Sequence, residues 1–97
     1  MIQTPGNHNT IRSRGWVFTI NNFTEEEKQH IIELINDPRV QYGIAETEHE
    51  GEGEGTPHIQ GYIYWKNGRY FNTVKGSIGE RAHIEAAKGN PEQNYDY

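Results

Sequence analysis

The sequence predicts a single α+β domain in which an antiparallel sheet is flanked by helices. Four short runs alternate apolar and polar residues with a period of two, as half-buried strands do. Two amphipathic stretches with helix start and stop residues fall between the first and second runs and between the third and fourth. The length, 97 residues, is enough for one domain and too short for two.

The first thirteen residues are polar and aperiodic around a Pro-Gly turn and read as a flexible arm, with His8 solvated. GWVFTINN at 15–22 is a strand, with Trp16, Phe18 and Ile20 on the core face and Val17, Thr19 and Asn21 on the other. Thr24 opens a helix. Glu27 three residues on completes a capping box, and Glu25, Glu26 and Glu27 suit the positive end of the helix dipole, so these acids read as helix-start chemistry rather than as a metal cluster. Ile31, Leu34 and Ile35 form its core stripe, His30 is expected on its exposed side, and Asn36-Asp37-Pro38 ends it.

Residues 40–48 are the second strand and 57–65 the third, joined through an acidic, glycine-rich loop. On the third strand Ile59, Ile63 and Trp65 face the core, and His58, Gln60, Tyr62 and Tyr64 share the opposite face. Lys66-Asn67-Gly68-Arg69 reads as a turn. A short helix over 70–78 places Phe71, Val74 and Ile78 on one side and stops at Gly79, although Gly76 weakens it. Residues 81–87 are a fourth strand, with Ala82, Ile84 and Ala86 inward and His83 and Glu85 outward. Asn90, Pro91 and Gln93 then start a last helix, which the chain leaves at Tyr97, so the sequence reads as cut through an element.

The chemistry concentrates in ETEHEGEGEGTPHIQ at 46–60. Glu46 and Glu48 share one face of their strand, and His58 and Gln60 share one face of theirs. If the loop turns back as a hairpin, one of these carboxylates, the imidazole and the amide converge as three ligands for a divalent cation. The net charge of −5 argues against non-specific nucleic-acid binding. Its distribution softens that objection, since five acids alternate from Glu46 to Glu54 while Arg12, Arg14, Lys66, Arg69, Lys75, Arg81 and Lys88 lie elsewhere. Cysteine is absent, which excludes disulfides and thiolate metal sites. No apolar run approaches the ~20 residues of a membrane-spanning helix, and no membrane partner is expected. Tyr62 and Tyr64 could stack unpaired bases. On the residues alone one His-x-Gln is weak evidence, and a non-catalytic single-stranded nucleic-acid-binding module ranks above an enzyme.

FTINN at 18–22, PHIQG at 57–61, and HIEAAKG followed by QNYDY within 83–97 together resemble the replication-initiator endonuclease domain of circoviruses and related circular single-stranded DNA viruses, within the HUH endonuclease group. The resemblance covers residues 14–97. It implies an antiparallel sheet of about five strands flanked by helices, related to ferredoxin-like and RNA-recognition folds. It implies a metal motif on His58 and Gln60 with Glu48 as the acidic ligand, Glu46 being the second candidate, and Mn²⁺ or Mg²⁺ as the cofactor. The family nucleophile matches Tyr97. Tyr95 lies about 200° away around the helix and cannot serve the same site from one helix pose.

The resemblance further implies metal-dependent nicking and joining of single-stranded origin DNA at a stem-loop, through a 5′-phosphotyrosyl intermediate. It implies a host polymerase that extends the nicked strand, a helicase domain in the full-length protein, and the host nucleus as the location. Asn21, Asn22, Tyr62, Lys66, Arg69 and Arg14 are the expected DNA contacts, Arg14 reaching phosphates from the arm. Three positions depart from the family pattern. The motif lysine expected after Tyr97 falls past the end of the chain, Phe23 stands where proline is usual, and Gly76 replaces a bulkier residue.

Overall fold

The computed structural model describes residues 11–48 and 57–87. The elements run β1 (Arg12–Asn21), α1 (Glu25–Ile35), β2 (Val40–Glu48), β3 (His58–Tyr70), α2 (Phe71–Ile78) and β4 (His83–Ala86). All neighbouring strands are antiparallel, in the order β2-β3-β1-β4. This is the split β-α-β arrangement of ferredoxin- and RRM-like folds. The predicted α+β class therefore holds, with four strands among the described residues where the resemblance implied about five.

Local chemistry accounts for the helices. The Thr24 hydroxyl accepts the Glu27 N–H at 3.1 Å, and the Glu27 carboxylate accepts the Thr24 N–H at 2.8 Å, which closes the capping box at the start of α1. Ile31 and Leu34 are buried, whereas Ile35 is only partly so. His30 is exposed as expected, but its Nε2 also lies 2.7 Å from the Ser77 carbonyl and ties α1 to α2. α2 ends at Gly79, whose φ of +144° few other residues adopt, and the Gly79 N–H donates to the Lys75 carbonyl.

Both helices cover one face of the sheet. Trp16, Phe18 and Ile20 of β1 meet Ile59, Ile63 and Trp65 of β3 and Ile84 of β4, under Ile31, Leu34, Val74 and Ile78. The alternate residues of each strand are thereby committed to the opposite face.

Three boundaries differ from the sequence reading. β1 begins at Arg12, inside the stretch expected as an arm, and pairs Arg12 with Tyr70 and Ser13 with Arg69. The run 66–69, expected as a turn, belongs to β3. The register shifts between Ser13 and Gly15 so that residues 65–68 lie opposite Arg14 alone, and the glycine-containing run bulges instead of reversing. β4 is shorter than expected, and Ala86 is exposed because the strand is at the edge of the sheet. Residues 1–10 of the arm and the last helix lie outside the described residues.

One side chain binds three segments of the fold. Arg81 donates from Nε and Nη2 to the two carboxylate oxygens of Glu27, at 2.9 and 2.8 Å, and from Nη2 to the carbonyls of Asn21 and Asn22, at 3.2 and 3.3 Å. The start of α1, the end of β1 and the approach to β4 are joined at this guanidinium. Its hydrogen bonds, followed by that from the Thr24 N–H, hold the Glu27 carboxyl at about 2, below its ordinary 4.5.

Two outcomes follow from this packing. A methyl group on Gly61 would stand 2.5 Å from the Ile44 carbonyl oxygen and 2.6 Å from the Phe18 ring. Gly61→Ala should therefore lower stability by about 1–3 kcal/mol, read as a reduced urea midpoint. Because folding lowers the Glu27 pKa, the pair stabilises the protein above pH 4.5 and that contribution is lost as pH falls towards 2. Glu27→Gln keeps the capping geometry, so it should cost about 1 kcal/mol or less at neutral pH. In urea titrations across the acid range the difference from the parent should disappear near pH 2.

Candidate functional site

Antiparallel register turns the face opposite the helices into rows of side chains. Glu48, His58 and Asn21 form the first row, and Glu46, Gln60, Thr19 and His83 the second. Ile44, Tyr62, Val17 and Glu85 form the third. The first row lies where β2 ends and β3 begins.

Here the three side chains expected as ligands come together. The Gln60 Nε2 donates to Glu48 Oε2 at 2.9 Å, and the His58 Nε2 lies 3.4 Å from Glu48 Oε1. The Gln60 contact runs diagonally, from the second row to the first, a reach that long side chains span. The His58 ring is 13% exposed and the Glu48 carboxylate 42%, so the group opens to solvent on the acidic side. Glu46, which lies directly across the strands from Gln60, takes no part in these contacts.

A carboxylate, an imidazole and a carboxamide make a mixed oxygen and nitrogen donor set suited to a divalent cation. Among the described residues no three His, Cys, Asp or Glu side chains cluster, so a three-donor site here would need the Gln60 amide. As a ligand that amide would turn to present its oxygen, the only end with acceptor capacity.

The end of β1 closes on this group. Asn21 is exposed opposite His58. Asn22 adopts a φ of +53°, which asparagine tolerates better than most residues, and its N–H donates to the Pro57 carbonyl at 2.7 Å. The two asparagines thus hold the start of β3, and Arg81 holds their carbonyls.

The other expected DNA contacts sit farther along the sheet. Tyr62 is 7% exposed, with Tyr42 at 6.1 Å and Tyr64 stacked at 6.4 Å between ring centroids. It presents no open ring face for base stacking, whereas Tyr64 is half-buried. The Arg14 guanidinium lies 4.6 Å above the Tyr64 ring and donates to the Trp65 carbonyl and to Gln41. Arg14 therefore belongs to the sheet and not to a loose arm. Arg69 lies 4.1 Å above the Trp65 ring. Lys66 is exposed, its N–H bonded to the Arg39 carbonyl. Tyr97, like Tyr95, lies outside the described residues.

Two residues of this region were not singled out in the sequence. Counting back in twos from Glu48 finds Tyr42 on the same face. No local pattern marks Arg81 as the clamp, because its partners are more than fifty positions away.

Residues 13–97 match the family model described as "Putative viral replication protein". The chain is 46% identical over 83 residues to the replication-associated protein of porcine circovirus 1 and 42% identical over 83 residues to that of porcine circovirus 2. Each match covers 84% of this chain and 26% of the relative. It is also 33% identical over 85 residues to Para-Rep C2 of the subterranean clover stunt C2 alphasatellite, covering 88% of this chain and 30% of that protein. The chain thus spans between a quarter and a third of the length of these curated relatives.

Proposed function

This chain belongs to the viral replication protein family, and from that premise we propose that it is the part of a viral replication initiator that nicks and rejoins single-stranded origin DNA. The observation that carries the reading is the convergence of His58 and Gln60 on the Glu48 carboxylate at one end of the helix-free sheet face. Glu48, His58 and Gln60 would hold Mn²⁺ or Mg²⁺. When bound, the cation supplies positive charge to the oxygens of the scissile phosphate.

The nucleophile is Tyr97, the tyrosine that matches the family motif. Its phenolic oxygen loses its proton and attacks phosphorus in line. The bond from phosphorus to the 3′ oxygen breaks, that oxygen takes up a proton, and a 5′-phosphotyrosyl ester remains. The ester conserves the bond, so attack by a 3′ hydroxyl rejoins the strand by the reverse path. The freed 3′ hydroxyl serves a host polymerase in the nucleus, and a helicase domain elsewhere in the full-length protein unwinds the template. Exposed Asn21, Asn22 and Lys66, with half-buried Tyr64, are the groups that would meet the strand.

Two measurements test the reading. Mn²⁺ should raise the melting temperature of the parent, by the equivalent of about 1.4 kcal/mol when the ion exceeds its Kd tenfold. The rise should vanish in Glu48→Ala and His58→Ala and persist in His83→Ala, which alters an exposed histidine outside the group. On a denaturing gel, the protein mixed with a single-stranded stem-loop oligonucleotide should form a covalent adduct with Mn²⁺, and none with chelator or in Tyr97→Phe. An adduct retained in Tyr97→Phe would move the nucleophile elsewhere. Binding without an adduct, in this chain and in one extended past Tyr97, would favour a non-catalytic binding module.

A further inference from the structure

Beside the Glu48 group, the same sheet face carries a groove of about 450 Å³. Tyr42, Ile44 and Tyr62 line its apolar part, and Thr19, Glu46 and Gln60 its polar part. Gln60 is shared, so the groove runs up to the Glu48 group. Glu46 pairs with Gln60 across the strands, is exposed, and stands apart from the contacts made by Glu48. The position therefore holds a second carboxylate that the proposed cation site does not use.

We propose that this groove is a nucleobase subsite in which Glu46 admits bases carrying an exocyclic amino group and disfavours thymine. The assignment rests on the single-stranded DNA reading above and adds to it a rule about sequence. Two parts of a DNA strand could enter the groove. A phosphate is repelled by the carboxylate and has no use for apolar walls. A base edge suits both, because the Tyr42 and Ile44 walls, with buried Tyr62 behind them, take its apolar surface while the polar end takes its hydrogen-bonding groups.

The chemistry of Glu46 then decides among the bases. An ionised carboxylate only accepts hydrogen bonds. Adenine, cytosine and guanine each offer amino hydrogens, and glutamate pairing with an amino edge is an established mode of base readout. Thymine has no amino group. Its single ring N–H is flanked by two carbonyl oxygens, which meet the carboxylate with like charge. Because the groove shares Gln60 with the Glu48 group, the base selected belongs to a nucleotide close to the phosphate bound there.

The test is the binding of the whole chain, in chelator, to fluorescent homopolymers of dA, dC and dT of one length, read by anisotropy. The parent should bind dA and dC about tenfold more tightly than dT. Glu46→Gln, whose amide both donates and accepts, should bring those ratios close to one, with the fold checked by thermal melting. Ratios that are the same in the parent and in Glu46→Gln would overturn the subsite, even if removal of the charge raised all three affinities together. Failure of the parent to bind any of the three would overturn the single-stranded DNA reading, and the subsite with it.

Discussion

The antiparallel pairing of β1 with β3 joins the two inner strands of the sheet and sets the geometry of everything attached to them. Along it Trp16 faces Ile63, Phe18 faces Gly61 and Ile20 faces Ile59, so the heart of the core is made by two strands about forty residues apart in sequence. Slipping this register by one residue would turn each apolar side chain to the wrong face. Gly61 helps to hold it, because the Phe18 ring occupies the space that a Cβ there would need. Large apolar residues on one face and the absence of a side chain at one position act together as the register lock.

That pairing also positions the chemistry. His58 and Gln60 precede and alternate with the residues that bury β3, so their orientation follows from core packing and not from any property of the acidic loop. β2 contributes Glu48 through its own pairing with β3. From the other side, the β1 end is closed by the Asn22 N–H on Pro57 and by Arg81 on the asparagine carbonyls. The candidate ligands thus stand on paired strands whose ends are tied, the kind of support that keeps a first coordination sphere in place.

Charge is segregated along the sheet. Glu46 and Glu48 mark one end, while Arg12, Arg14, Lys66 and Arg69 gather towards the other, where β1 and the end of β3 pair. A net charge of −5 therefore says little about the field that a ligand on this face would meet. Two of these arginines lie over aromatic rings, Arg14 on Tyr64 and Arg69 on Trp65, which restrains them as well as leaving them charged.

Much of this was legible in the sequence, for a physical reason. Periodicity and caps are local, so the alternation in FTIN and PHIQGYIYW specified which side chains face the core, and Thr24 with Glu27 specified where α1 begins. The same period of two put His58 and Gln60 on one face of β3, and Glu46 and Glu48 on one face of β2. The rest depended on contacts between distant segments. Alternation names a face but not the neighbour across it, so only strand register set Glu48 opposite His58 and Glu46 opposite Gln60, and only side-chain packing brought Gln60 diagonally to Glu48. The glycine in 66–69 permits a turn or a bulge equally, and pairing with the start of β1 decided for the bulge. Tyr62 looked as open as Tyr64 until Tyr42 arrived from β2, and Arg81 became a clamp only when folding brought Glu27, Asn21 and Asn22 within reach. The sequence by itself determined the class of fold and the faces of its elements, because those follow from each residue's near neighbours. The tertiary structure decided which groups on a face meet, because that is set by pairing between strands far apart in the chain.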